Sequence, residues 1–269
     1  MTLLFGLLPT ARVSAAPLPI INGTDAPEGE HQWVAGILQS AIQDDYLAQF
    51  CGGTLIEAQW ILTAAHCTYD KDGNGFQPSE LAVLVGQREL RSNHGVRIAV
   101  DQIIRHPSFD SQTYSHDIAL LHLAEATTVA PVNLADQDSQ AVDWHSRKGM
   151  IVGWGMTEAG VGATLLQRAQ VPLTAPETCR DFYAGYDITI DAQMLCAGYE
   201  QGGVDACVGD SGGPLLLWDN RQMAWVQVGI ISWGSGCAEA GIYGIYTQVA
   251  SFVDWIAANT ACPTGQCRS

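Results

Sequence analysis

From residue 20 onward the chain is a succession of short apolar runs, each closed by Gly, Pro, Asn or Asp after about ten residues. "WVAGIL", "GTLI", "LAVLVG", "VRIAV", "IALLHL", "GMIVGWG", "PLLLW", "VQVGIISW" and "GIYTQV" are too short for helices and read as buried or half-buried strands. One convincing helical pattern stands at the end, "VASFVDWIAANT", with Val249, Phe252, Val253 and Ile256 at helical spacing. Many strands and one terminal helix predict a β-barrel or β-sandwich. The polar stretch "NLADQDSQAVDW" at 133–144 is a place where two such units could meet. With 269 residues, 47% of them apolar and 15% charged, the chain can bury a substantial core.

The formal net charge of −16 argues against nucleic acid or an anionic membrane as partner and modestly favours basic substrates, although solubility alone would also explain it. Eight cysteines without CxxC spacing indicate disulfides formed in an oxidising compartment, with 105 pairings open. Cys51, His66 and Cys67 suggest a metal, but no second ligand pair stands at a usual spacing, so no metal and no cofactor is expected. The first residues carry a short apolar run and then Val13-Ser14-Ala15, a signal-peptide pattern too short to span a bilayer. An exported, soluble protein is expected, extracellular or periplasmic and a monomer, with residues 1–15 as signal.

Three stretches carry chemistry. "GGVDACVGDSGGP" sets Ser211 among glycines, where backbone N–H groups can converge on one oxyanion. "LTAAHC" ends a strand on His66, and "SHDIALLHL" opens a buried strand with Asp117. Each has a bland reading, as a loop, a turn histidine and a strand-end turn residue. Together they supply a nucleophile, a base and an acid to orient it, in the order His, Asp, Ser.

With "TAAHC", "DIALL", "GWG", "GDSGGP" and "SWG" in order, the chain resembles the trypsin-like serine proteases from Ile20 to about residue 259. The resemblance implies two six-stranded antiparallel Greek-key β-barrels, about 20–135 and 136–248, with the active site between them. A C-terminal helix at about 249–259 and a tail, 260–269, would follow. It implies Ser211 as nucleophile, His66 as base, Asp117 as its orienting acid, and the N–H groups of Gly209 and Ser211 as oxyanion hole. The segment Ser232, Trp233 and Gly234 would pair with the substrate backbone.

Asp205, six residues before the serine, would form the floor of a specificity pocket for Arg or Lys, with Gly234 and Gly244 as open walls. Ala206 stands where many relatives carry Ser, which favours Arg over Lys. Protein or peptide substrates with Arg or Lys before the cut bond, and protein protease inhibitors, are the expected partners. A catalytically silent, protease-like binding protein is the alternative, though such relatives usually lack one of the three residues.

The resemblance also implies an N-terminal amine on Ile20 that pairs with Asp210 after proteolysis. Here the cut would follow Pro19, and Ile21-Asn22-Gly23 departs from the usual Val-Gly-Gly. Residues 16–19 would then be a short propeptide, and successive removal of Ala16-Pro17 and Leu18-Pro19 by a dipeptidyl peptidase would expose Ile20; direct signal cleavage after Pro19 or an unrelated endopeptidase would also serve. Implied disulfides are Cys51–Cys67, Cys179–Cys196 and Cys207–Cys237, while Cys262–Cys267 would close a loop of the tail without family support. A further bridge common in animal trypsins is absent, with Gly149 and Leu217 near its ends. "DKDGNG" at 70–75 is read as a turn rather than a calcium loop. Tyr243 occupies a position linked to sodium effects, and Asn22-Gly23-Thr24 is a glycosylation triplet.

Overall fold

The structure, a computed structural model, describes residues 19–92, 97–136, 147–157 and 159–261. A two-residue strand, β1 (Thr24–Asp25), precedes the first barrel. That barrel comprises β2 (Val34–Gln39), β3 (Gln49–Glu57), β4 (Trp60–Thr63), β5 (Leu81–Val85), β6 (Arg97–Arg105) and β7 (Ala119–Leu123), closed in the order β2-β3-β4-β7-β6-β5. After β8 (Asn133–Leu134), the second comprises β9 (Lys148–Gly153), β10 (Gln167–Thr174), β11 (Met194–Ala197), β12 (Pro214–Asp219), β13 (Ala224–Trp233) and β14 (Gly244–Gln248). Its order is β10-β11-β14-β13-β12-β9, and β9 pairs back onto β10 to close it.

The expected all-β, two-barrel architecture is thus present, and the apolar runs explain why. β5 and β7 are buried at every residue, so they read as unbroken apolar stretches rather than alternating ones. β10 escapes a sequence reading because Gln167, Arg168 and Gln170 interrupt its apolar positions. Its buried residues nevertheless alternate, with Ala169, Val171 and Leu173 facing the core. A nine-residue helix, Pro176–Ala184, was also not expected. It carries few apolar residues, begins with Pro in its first turn, and is tied to β11 by Cys179–Cys196.

Each barrel has its own core. Ile37, Leu55, Leu62, Val83 and Leu121 fill the first; Ile151, Val171, Leu215 and Val228 fill the second. Leu38 and Leu84 pack with Val152, Trp154 and Leu216 between them. The division expected near residue 135 is crossed at both ends of the chain. β1 pairs with β10, and Ile20 is buried in the second core. The terminal segment is a 3₁₀ turn, Val249–Ser251, followed by a helix, Val253–Thr260, and its Phe252 and Ile256 pack on the first core. The terminal helical pattern therefore holds, but with a break at Phe252 (φ −123°) rather than as one continuous helix. Residues 1–18 and 262–269, which include the expected signal segment and Cys262–Cys267, lie outside the described residues.

Candidate active site

The turn carrying Ser211 joins β11 to β12 and rests against the first barrel. Gly52 of β3 donates its N–H to the Ser211 carbonyl at 2.7 Å, and Gly212 donates to the Ile231 carbonyl at 2.7 Å. Gly212 has φ +83°, and a Cβ there would overlap Thr63 and the Gly52 carbonyl, so the close approach of the two barrels requires glycine. Gly209 has φ +97°. The N–H groups of Asp210, Gly212 and Gly213 are consumed inside the protein, whereas those of Gly209 and Ser211 meet no protein acceptor among the described residues. Two unpaired donors in one turn, beside a serine hydroxyl, are suited to an oxyanion.

His66 follows β4 at the start of a 3₁₀ turn, His66–Thr68, and Asp117 immediately precedes the strand pair that Ala119 joins. His66 Nδ1 lies 2.8 Å from Asp117 Oδ2, and the His66 N–H donates to Asp117 Oδ1 at 2.9 Å. Asp117 is completely buried. It stays satisfied because the second barrel adds two donors: Ser232 Oγ to Asp117 Oδ2 at 2.5 Å, and Thr247 Oγ1 to the Asp117 carbonyl at 2.8 Å. The pairing of β13 with β14 shifts register between Ile231 and Trp233, a bulge that contains Ser232. Ser211 and His66 line the same cavity, with no hydrogen bond joining Ser211 Oγ to the imidazole. Cys51, His66 and Cys67 are also close enough to suggest a metal, but the two sulfurs are bonded to each other in Cys51–Cys67. That bond removes the thiolates a metal would use.

Beside Ser211 opens a cavity of about 290 Å³ lined by Asp205, Ala206, Ser232, Trp233, Gly234, Gly244 and Tyr246, among others. Cys207–Cys237 spans it. Asp205 is buried and, among the described residues, accepts only backbone N–H groups, from Ala206 at 2.8 Å and Ala238 at 3.1 Å. Burial pushes its pKa up to about 6, against which the two hydrogen bonds work only in part. The cavity walls are low: a Cβ on Gly234 would meet nothing closer than 3.6 Å, and one on Gly244 would come 3.2 Å from Asp205 Oδ1. The buried Tyr246 hydroxyl has no partner among the described residues. Ala206, lacking a hydroxyl, offers it none.

Asp210 is sealed beneath the same turn. Its carboxylate accepts from Gly155 N at 2.8 Å and Cys207 N at 3.0 Å, and burial pushes its pKa up to about 7. A Cβ on Gly153 or Gly155 would overlap this carboxylate. Ile20 is wholly buried with φ +42°, an outlier for a β-branched residue. Ile21 bridges to Asp205, and Asn22, at φ +56°, donates its amide to the Gly203 carbonyl. Asn tolerates that left-handed conformation well, which accounts for its presence in place of a glycine.

The candidate residues thus converge, and several neighbours that the sequence did not single out join them. Thr247, Gly153, Gly155 and Tyr246 act across 55 to 130 residues of chain or through plain shape, so no local motif announces them. Gln49 is another, donating to the Gly209 carbonyl at 2.8 Å. At 70–75, Asp70 accepts from Asp72 N, Asn74 N and Asn74 Nδ2, so the carboxylate closes a turn, as the sequence suggested. Gly149 faces Leu215 and Leu173, and Leu217 is buried, so apolar packing holds these two positions together with no sulfur between them. Tyr243 packs on Phe182 and its carbonyl accepts from Tyr183. No helix among the described residues is long and apolar enough to cross a membrane.

A family model described as trypsin matches residues 20–256. The chain is 39% identical over 252 residues to trypsin-1 of Astacus astacus, an alignment covering 89% of this chain and 99% of that relative. With both barrels closed and the match spanning nearly all of them, the chain belongs to the trypsin family and is a trypsin-like serine endopeptidase acting on proteins or peptides.

Proposed function

We propose that the enzyme is exported and cleaves peptide bonds after Arg, and less readily after Lys, through an acyl-enzyme. The observation that carries this reading is Asp205, a buried carboxylate with no cation beside it among the described residues, at the floor of the cavity beside Ser211. A substrate guanidinium supplies the missing charge and can bind the carboxylate with two parallel hydrogen bonds. The unpartnered Tyr246 hydroxyl favours the same ligand, since guanidinium has donors to spare after engaging Asp205, while an ammonium concentrates its donors at one point.

In this mechanism Ser211 Oγ attacks the carbonyl carbon while His66 Nε2 takes its proton. The carbonyl electron pair moves onto oxygen, which the N–H groups of Gly209 and Ser211 receive. Collapse breaks the C–N bond as His66 returns the proton to the leaving amine; water then repeats the sequence on the ester. Asp117 fixes the tautomer and offsets the imidazolium charge, and Ser232 and Thr247 keep Asp117 in place.

Activity begins with the cut between Pro19 and Ile20. Two observations support this step. Asp210 has no cationic partner among the described residues and needs one, and Ile20 carries a left-handed strain that exists only while a carbonyl precedes it. The new amine pairs with Asp210, and the Gly209–Ser211 donors are fixed by the residue between them.

The test is the intact mass of the secreted protein after exposure to an arginine-based phosphonate that labels active-site serines. A labelled chain beginning at Ile20 is expected. An unlabelled chain beginning at Ile20 counts against the Arg pocket, and a labelled chain that keeps residues 16–19 counts against the activation step. Matched Arg and Lys esters test the finer preference; equal rates would remove it.

A further inference from the structure

The left-handed backbone at Asn22 explains why asparagine is permitted there, but glycine would meet that demand at least as well. What glycine lacks is the amide, which reaches across 181 residues of chain to donate to the Gly203 carbonyl. That acceptor stands two residues before Asp205. The stretch leading to the aspartate has unusual freedom. Gly202 and Gly203 are successive left-handed residues (φ +69° and +90°), and a Cβ on Gly203 would meet nothing within 4 Å. Two backbones that can swing thus carry the residue that must stand still at the cavity floor.

Gly203 is gripped from both sides. Its N–H donates to the Ala238 carbonyl at 2.8 Å, and the Ala238 N–H donates in turn to Asp205 Oδ2 at 3.1 Å. Its carbonyl takes the Asn22 amide, and Ile21 forms an antiparallel bridge with Asp205. The segment that supplies this second grip is itself fixed. The Gly23 N–H donates to the Ile20 carbonyl, and β1 pairs Thr24 with Arg168 of β10. The Asn22 side chain therefore joins an anchored strand to a hinge of glycines.

We propose that Asn22 is a positioning residue for the specificity pocket: its amide fixes the Gly203 carbonyl and so sets Asp205 for the substrate cation. This role rests on the cut before Ile20 and on the Arg pocket proposed above. It gives neighbouring residues of one segment separate tasks. The amine at Ile20 serves the turn of Ser211 through Asp210, whereas the amide at Asn22 serves the pocket through Gly203.

Mature chains beginning at Ile20 are compared as wild type, Asn22→Asp and Asn22→Gly. The readouts are benzamidine affinity, Arg-ester kinetics and the rate of labelling by an uncharged fluorophosphonate. Aspartate keeps the size and the left-handed tolerance of asparagine but sets an acceptor against an acceptor. Asn22→Asp should weaken benzamidine about tenfold at pH 7.5 and raise KM for the ester by a similar factor, with kcat and labelling within about twofold. Asn22→Gly, which removes the donor without adding repulsion, should weaken benzamidine about threefold. Wild-type affinity in Asn22→Asp would show that only the backbone shape matters, and would overturn the proposal. So would a fall in labelling that matches the loss of benzamidine, since Asn22 would then serve the turn of Ser211 as much as the pocket. A wild-type chain that takes the fluorophosphonate but binds no benzamidine would overturn the Arg reading, and this role with it.

Discussion

Asp205 and Asp210 lie five residues apart in one loop, are both buried, and each accepts two backbone N–H groups. Burial raises the pKa of both, to about 6 and about 7. What separates them is access. Asp205 opens onto a cavity with low glycine walls, whereas Asp210 is roofed by Gly153 and Gly155 with no room for a Cβ. On the proposed reading, two nearly equal electrostatic deficits are answered from different directions, one by the substrate and the other by the chain's own new terminus, so that the same chemistry would yield selection in one place and activation in the other.

Exchanging each carboxylate for its amide breaks the comparison most severely. Asp210→Asn should lower kcat/KM by roughly 10³-fold or more on every substrate, because both oxyanion donors lose their anchor. Labelling by an uncharged fluorophosphonate should be lost as well. Asp205→Asn should cost roughly 10²–10³-fold on Arg esters only and leave that labelling intact, since the charge pair lost there belongs to the substrate. Equal loss of labelling in both variants would show that the two sites are not separable.

Glycine substitutions probe access directly. Gly153→Ala places a methyl into the Asp210 carboxylate, between packed strands that cannot yield, and should reduce activity roughly 100-fold with a lower Tm. Gly244→Ala brings a methyl 3.2 Å from Asp205 Oδ1, narrowing an open cavity. Its effect should be confined to KM for Arg esters, about tenfold, with Tm little changed. Thermal scans beside steady-state kinetics of the two variants decide this.

The pH dependence separates the two aspartates again. In the uncut chain Asp210 binds its proton more tightly than in the unfolded state, so stability is greatest at low pH and falls as pH rises from about 4 through about 7. After the cut, the amine gains a partner and its pKa rises on folding. That contribution is complete below the unfolded amine value of about 8 and fades as pH climbs through the folded value. Melting of the chain with and without residues 16–19 should therefore diverge most near neutrality, and the mature enzyme should lose activity reversibly in strongly alkaline buffer. At Asp205 the ligand competes with the proton, so benzamidine should bind more tightly as pH rises through about 6 and then level off. Parallel melting curves, or benzamidine affinity unchanged from pH 4.5 to 7.5, would contradict these assignments.

Much of this was legible in the letters. Ser211, His66 and Asp117 sit in short motifs because each must meet a local backbone requirement, a glycine turn or a strand end, as well as a chemical one. Asp205 and Asp210 were legible for the same reason, through their fixed distance from the serine. The supports were not. Ser232 reads as part of a strand that would bind substrate, yet its hydroxyl points back to Asp117, because the bulge that contains it re-aims its side chain. Gly153 and Gly155 read as strand and turn glycines, and their function as a roof for Asp210 exists only across 55 residues of chain. The crossing of the chain ends between barrels was invisible too: nothing local to Thr24 or Ile256 reveals which core will take it.

The smallest expected effect concerns another buried titratable group, a base that burial keeps neutral near pH 7. His31 is fully buried between Trp33 and Trp225, with no hydrogen-bond partner for either ring nitrogen among the described residues. Burial lowers its pKa from 6.5 to about 4; Glu30, 3.7 Å away, opposes that shift, while Arg168, paired with Glu30, adds to it. The unfolded chain binds the proton first, so the cost appears as pH falls from about 6.5 towards 4 and is absent above. His31→Phe keeps an aromatic ring at the site and removes the proton acceptor. It should leave Tm at pH 7.5 within a few degrees and stabilise the protein by about 1–3 kcal/mol at pH 4.5. Loss of stability at pH 4.5 equal to that at pH 7.5 would mean that His31 serves by its shape alone, and that the electrostatic deficits of this fold are confined to the loop carrying Asp205 and Asp210.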